Sequence, residues 1–383
     1  MGKAASEQGA RIIGKQPMVL CVVGTRPEAV KMAPVILALR NIPKIQVRVL
    51  ATAQHREMLD EALAQFGIEA DFDLDIMQPN QTLAELTGRL LAGIDALLAQ
   101  EGPDIVVAQG DTTTVFVTAL ACFYRRIPFA HIEAGLRTGD LANPFPEEMN
   151  RSFAGRVARL HFAPTALARD NLLREGVADQ AIHVTGNTVI DAVRWMAERN
   201  PLHGLPISDG RRIVLLTCHR RENFGDPLRH IFSAIRRLAM LHPDIVIVYP
   251  VHPNPHVAVP ARELLADVPN VMLTQPLDYS RLIGLMKACH FVLTDSGGLQ
   301  EEAPALGKPV LVLREETERP EGVTAGTALL VGCDEDIIVK QASRLLNEPG
   351  FHTAMARAVS PYGDGRAAGR IGDLLGEWLI GKQ

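Results

Sequence analysis

The feature that most constrains this chain is an alternation. Short apolar runs rich in Val, Ile and Leu each end in a Gly- or Pro-marked turn and are followed by a longer segment of helical period. Strands of that kind, covered on both faces by crossover helices, assemble into parallel sheets, so the class is α/β. In the first half the expected strands are Met18 to Val23, Val47 to Ala51, Asp104 to Ala108, Phe129 to Ile132, Leu160 to Ala163 and Ile182 to Val184. The second half restarts the pattern with Arg212 to Thr217, Ile245 to Tyr249, Asn270 to Leu273, Phe291 to Thr294, Val310 to Leu313 and Ala328 to Val331. Between the halves, Pro201, Gly204, Pro206 and Gly210 punctuate residues 200–210, where a helical pattern has ended and no strand has begun. At 383 residues the chain exceeds what one core usually organises. The reading is therefore two doubly wound Rossmann-like domains facing a central cleft, 1–199 and 211–365, with a hinge at 200–210. Open sheets of this type bind ligands beyond the carboxyl ends of their strands, so chemistry is sought in the loops that follow strands.

Composition excludes several classes. Lys plus Arg number 39 against 44 Asp plus Glu, no basic tail is present and aromatics are 5%, so no nucleic-acid footprint stands out. The five cysteines, Cys21, Cys122, Cys218, Cys289 and Cys333, form no CxxC pair and read as reduced, buried thiols. The apolar run Met18 to Val23 is shorter than the core of a signal peptide, and the uncharged stretch Thr112 to Tyr124 falls well short of the roughly 20 residues a membrane helix needs. The expectation is a soluble, cytoplasmic protein with no membrane partner. The 12 His are scattered, with no HExxH, and no GxSxG elbow occurs, so no metal site or hydrolase nucleophile is read.

The first strand ends in Gly24-Thr25-Arg26-Pro27-Glu28, with Lys31 further on. A capped helix N-terminus with Arg26 and Lys31 beside it suits a diphosphate; the alternative is a surface turn with solvated cations. The turn is neither a P-loop nor a GxGxxG loop. Asp111 and Glu133 follow neighbouring strands. A helix cap would account for Asp111, whereas Glu133 stands between apolar residues, where a charge is costly unless paired. Glu147 opens a helix, as a dipole partner or as a third acidic group able to share acid and base roles with the other two. In Cys218-His219-Arg220-Arg221-Glu222 the His and two Arg suit a phosphate-rich ligand, with an Arg221–Glu222 salt bridge as the alternative; His252 reads as a satisfied turn residue. Ser296-Gly297-Gly298 after a strand is a phosphate cradle, and Glu302, one helical turn later, can accept ribose hydroxyls.

Taken in order, from Gly24-Thr25-Arg26-Pro27-Glu28 through Asp295-Ser296-Gly297-Gly298 to Thr317-Glu318-Arg319-Pro320-Glu321, these motifs resemble the non-hydrolysing UDP-N-acetylglucosamine 2-epimerases, from about Met18 almost to the end of the chain. The resemblance implies the B-type glycosyltransferase fold, with a last helix, about Arg366 to Ile380, that crosses back so that 366–383 joins the first domain. It implies a homodimer, no metal or other cofactor, and interconversion of UDP-GlcNAc and UDP-ManNAc by elimination of UDP to 2-acetamidoglucal and re-addition, supplying surface polysaccharide synthesis. By motif, Arg26 and Lys31 contact substrate phosphate, Asp111, Glu133 and Glu147 are the acid/base candidates, and His219 attends the leaving diphosphate. Ser296, Gly297, Gly298 and Glu302 match the UDP site, and Arg319 a further substrate contact. Leu277 and Leu282 join the substrate-binding set, Leu282 standing where some relatives carry a uracil-facing Phe. Some members bind a second UDP-GlcNAc as activator at positions matching Gln54, Arg220 and His252; Asn80 stands where some of those members carry Arg. The alternatives are a 2-epimerase of a modified UDP sugar such as a diacetamido uronic acid, a hydrolysing epimerase, and a UDP-sugar glycosyltransferase.

Overall fold

The computed structural model describes residues 16–52, 56–78, 80–199 and 210–381. Strands β1 (Met18–Val23), β2 (Gln46–Ala51), β3 (Phe72–Asp73), β4 (Ile105–Gln109), β5 (Phe129–Ile132), β6 (Leu160–Ala163) and β7 (Ile182–Val184) form one parallel sheet in the order β3-β2-β1-β4-β5-β6-β7. Strands β8 (Arg212–Thr217), β9 (Ile245–Pro250), β10 (Val271–Thr274), β11 (Phe291–Thr294), β12 (Val310–Val312) and β13 (Ala328–Leu330) form a second, in the order β10-β9-β8-β11-β12-β13. The central strands β1, β4 and β11 are buried along their whole length, because helices cover both faces. In each sheet the winding reverses at the centre, between β1 and β4 and between β8 and β11, which opens a crevice at the carboxyl ends of those strands.

The twelve strands read from the sequence are present with ends shifted by at most a residue. Strand β3 is the addition. It pairs only Phe72 and Asp73 with the β2 edge, and two residues of which one is acidic leave no apolar run to recognise. The hinge residues 200–209 lie outside the described residues. All five thiols are unpaired; four are buried and Cys333 is half-buried. Among the described residues no helix is long and apolar enough to cross a membrane.

One apolar cluster runs from the first sheet through helix Thr188–Arg199, by way of Ala192, Val193 and Met196, to Ile283, Met286 and Ala303 beside the second sheet. The final helix, Ala367–Ile380, buries Ala368, Ile371, Leu375 and Leu379, the spacing of one helical face, against helix Arg26–Arg40. Gly372 allows the close approach: a Cβ there would meet the Ala38 Cβ at 3.4 Å. Arg366 supplies no side-chain cap to this helix. Asp191, itself on helix Thr188–Arg199, does so instead, accepting from the Ala367 and Ala368 amides at 3.2 and 2.9 Å. Substituting Asp191→Ala strands those donors, and the expected loss is about 1–2 kcal/mol of stability. It is read as a lower urea midpoint; an unchanged midpoint would show that the cap contributes nothing to docking the helix.

Candidate active site

At the crevice of the first sheet, Thr25 caps helix Arg26–Arg40 and Glu28 completes a capping box. Glu28 is buried. One of its oxygens accepts from the Gly24 and Thr25 amides at 2.7 and 2.8 Å, and the other takes the Thr112 hydroxyl from the loop after β4. Burial pushes this carboxyl up to about 7 even against those bonds. It staples the two central turns together, and a Cβ on Gly24 would overlap the Thr114 hydroxyl where they close. Arg26 is exposed, and among the described residues no carboxylate pairs with it. Lys31, read from the sequence as a phosphate contact, also has a carboxylate partner: its Nζ lies 2.8 Å from each oxygen of Glu133.

Glu133 follows β5 in a left-handed conformation, φ +62°, that only a surrounding structure can impose on a non-glycine residue. It is 9% exposed and also receives the Gln109 amide. Burial pushes its carboxyl up, but the Lys31 charge and hydrogen bonds, with Arg319 and Gln109, outweigh that and hold it below the ordinary value. Asp111 is not the cap of the next helix. Thr112 is, accepting from the Val115 amide, and this leaves the Asp111 carboxylate to pair with Arg151 at 3.4 Å. Burial, then the Glu133 charge, raises Asp111 to about 6, against Arg151 and Lys31. Arg151 is in turn held at 2.8 Å by buried Glu148, whose other oxygen accepts from the Thr138 and Gly139 amides. Glu147, half-exposed in the first turn of helix Glu147–Val157, adds a charge that also raises Asp111. The structure thus brings Glu133 and Glu147 each within electrostatic reach of Asp111.

The crevice of the second sheet is organised by Asp295, which has no exposed surface. One oxygen accepts from the His219 and Arg220 amides, both at 2.8 Å, and from the Asn223 amide and the Cys218 thiol at 3.1 Å. The other lies 3.6 Å from His219 Nδ1. Burial lowers the His219 ring and Asp295 works against it. His252 stacks on His219 with ring centres 5.5 Å apart, and its Nδ1 accepts from the Asn254 amide as a turn residue does. Ser296 begins helix Gly297–Ala305 without a side-chain cap, so its first N–H groups are left for a ligand. The Arg220 guanidinium reaches this point, 3.5 Å from where a Gly297 Cβ would stand. Arg220 and His252, grouped by resemblance with an activator site, therefore adjoin His219 and the glycine turn; Gln54 lies outside the described residues. Glu222 pairs with Arg314 rather than with Arg221.

Further along the same helix, buried Glu302 is pushed up to about 7 by burial and by Glu301, against Lys31 and Arg26. Leu277 and Leu282 pack half-buried at the margin of the apolar cluster on either side of Tyr279, whose hydroxyl lies near Glu302. Arg319 is ion-paired with buried Glu301. Sequence reasoning missed Asp295, Glu301, Glu28 and Arg151 as site residues. Asp295 and Glu301 sit inside the motif already singled out, and a charge flanking a phosphate turn is a usable signal. Glu28 closes the first turn motif as the Glu of a Thr-x-x-Glu capping box, whereas Arg151 carries no signal beyond an ordinary helix-terminal charge.

A family model described as UDP-N-acetylglucosamine 2-epimerase matches residues 37–376. The chain is 52% identical over 367 residues to the UDP-N-acetylglucosamine 2-epimerase of Escherichia coli strain K12, covering 93% of this chain and 98% of that one. It superposes with a TM-score of 0.84 on the crystal structure of the UDP-GlcNAc 2-epimerase from Neisseria meningitidis bound to UDP-GlcNAc, 46% identical, over 94% of this chain and 99% of that chain. The glycotransferase of kitacinnamycin, with a TM-score of 0.65 at 12% identity over 95% of this chain and 100% of that one, shares the fold alone, that of B-type glycosyltransferases. With most of its length matched by the family model and half its residues identical to a full-length relative, the chain belongs to the UDP-N-acetylglucosamine 2-epimerase family.

Proposed function

We propose that this protein is a non-hydrolysing epimerase that interconverts UDP-GlcNAc and UDP-ManNAc. The observation that carries the proposal is a pairing across two crevices. Carboxylates with separated proton affinities, Asp111 raised to about 6 and Glu133 held low, face charged groups of the other sheet: Arg319 lowers Glu133, and Lys31 and Arg26 lower Glu302. Two titratable groups pushed apart by their surroundings are what acid/base work requires.

A base removes the C2 proton while the C1–O bond breaks and its electron pair leaves with UDP, so that 2-acetamidoglucal carries a C1–C2 double bond. Protonation of C2 from the opposite face and return of the diphosphate oxygen to C1 complete the epimerisation. Asp111, Glu133 and Glu147 are the proposed acid/base set. The N–H groups at Gly297 and Gly298 and the Ser296 hydroxyl, with Arg26, Arg319 and His219, are proposed to stabilise the diphosphate charge as it develops. Lys31, bound to Glu133, would keep that carboxylate ionised as well as attract phosphate. Glu302 is proposed for the ribose hydroxyls, with Leu277 and Leu282 beside the uridine.

The chain is read as two domains, 1–199 with 366–383 and 211–365, joined at 200–210, and as a cytoplasmic homodimer whose product enters surface polysaccharide synthesis. Phe123 and Tyr124 (both 63% exposed) and Phe153 (56%), on adjoining helices, support association, since exposed aromatic clusters mark contact surfaces. The double variant Phe123→Glu/Phe153→Glu is expected to sediment as a monomer where the parent sediments as a dimer; a parent that sediments as a monomer would remove the dimer.

The primary test is proton NMR of the protein with UDP-GlcNAc in heavy water. UDP-ManNAc with deuterium at C2 is expected; free ManNAc with UDP would mean hydrolysis, and no change would sink the assignment. Glu133→Gln is expected to lower kcat by about 10²- to 10⁴-fold with UDP affinity kept. The rate profile should inflect near the Asp111 value of about 6. Loss of kcat/KM below that pH marks Asp111 as base, because a base must be deprotonated; loss above it marks an acid. A profile flat from pH 5 to 7 would exclude Asp111 from proton transfer.

A further inference from the structure

Asn187 follows β7 and is 4% exposed. Its amide Nδ2 donates to Glu301 Oε2 at 2.8 Å and to Glu133 Oε1 at 3.4 Å. Its Oδ1 accepts from the Val189 amide at 3.1 Å, at the start of helix Thr188–Arg199, and its backbone N–H donates to the Tyr362 carbonyl at 2.8 Å. One residue therefore touches the loop after β5 of the first sheet, the helix after β11 of the second, and the segment that leads back to the last helix. Two carboxylates drawn together in the interior repel, and each here already has its own cation, Lys31 for Glu133 and Arg319 for Glu301. The two N–H groups of one amide are what can stand between them without adding charge.

We propose that Asn187 is a positioning residue that ties the orientation of Glu133 to the second sheet, so that Glu133 is aligned for proton transfer only while Glu301 and Arg319 are in place beside it. The inference rests on the reading of Glu133 as an acid/base group. Displacement of Glu301 withdraws the nearer bond and frees the amide to turn with it; Lys31 and Gln109 then hold the Glu133 carboxylate with one constraint fewer on its plane.

Two substitutions separate this role from helix capping. Asn187→Ser keeps an oxygen for the Val189 amide but is too short to span both carboxylates. Asn187→Asp keeps the shape and the acceptor while replacing the donors by a third carboxylate. With the full-length protein and UDP-GlcNAc, the serine variant is expected to lose about 10- to 100-fold in kcat, the size of a hydrogen bond to a charged group. KM, UDP affinity and the thermal midpoint should stay near those of the parent, and the aspartate variant should lose more. A serine variant with parental kcat would overturn the inference, as would a loss of kcat matched by equal losses of UDP affinity and thermal midpoint, which marks a structural role. If the parent protein itself leaves UDP-GlcNAc unchanged, the functional reading fails and this inference falls with it; an active parent with an unaffected variant defeats the inference alone.

Discussion

The Lys31–Glu133 ion pair lies where the two sheets meet, and much of the surrounding arrangement keeps it tolerable. A lone carboxylate there would face a desolvation penalty of several kcal/mol, and removing one member of such a pair is costlier than never having built it. Helix Arg26–Arg40 supplies the ammonium, β4 supplies the Gln109 amide, and the turn after β7 supplies Asn187. Each of these comes from a different element of the first unit. Glu133 keeps a left-handed backbone, φ +62°, within this network.

The two sheets share one winding order and use their central crevices differently. In the first, the loops after β4 and β5 present carboxylates whose surroundings push them in opposite directions: Asp111 up to about 6, Glu133 down. In the second, the loops after β8 and β11 present backbone N–H groups and a histidine, with Asp295 buried beneath them as an acceptor for four donors. A fold that turns its strand ends inward on both sides thus sets the proposed acid/base carboxylates on one sheet and the proposed anion-binding turn on the other, a combination neither sheet offers alone.

The final helix makes the second connection between the halves. It is capped by Asp191 and packed through Gly372 against Ala38, while Tyr362 just before it meets the Asn187 amide. Helix Thr188–Arg199 thereby carries three duties: it caps the last helix, contributes to the cluster shared by both sheets, and begins at the residue that bridges Glu133 and Glu301.

Much of the architecture was legible because it is written locally. The apolar runs of β1, β4, β8 and β11, the Thr25 cap and the Ser296-Gly297-Gly298 turn each announce themselves within a few residues, through burial period, capping chemistry and the room that glycine leaves. Glu133 was visible as a charge in apolar company, Asp111 and Glu147 as carboxylates at a strand end and a helix start. Their pairings were not: Lys31 and Glu133 are 102 residues apart, Asn187 and Glu301 are 114 apart, and Thr112 rather than Asp111 takes the helix cap. Strand type and turn chemistry follow from neighbours in sequence, so the chain by itself determined two wound parallel sheets with their functional loops at one end. Which cation meets which carboxylate, and how far burial moves each proton affinity, depends on which strands become neighbours in space, and only the tertiary structure decided that.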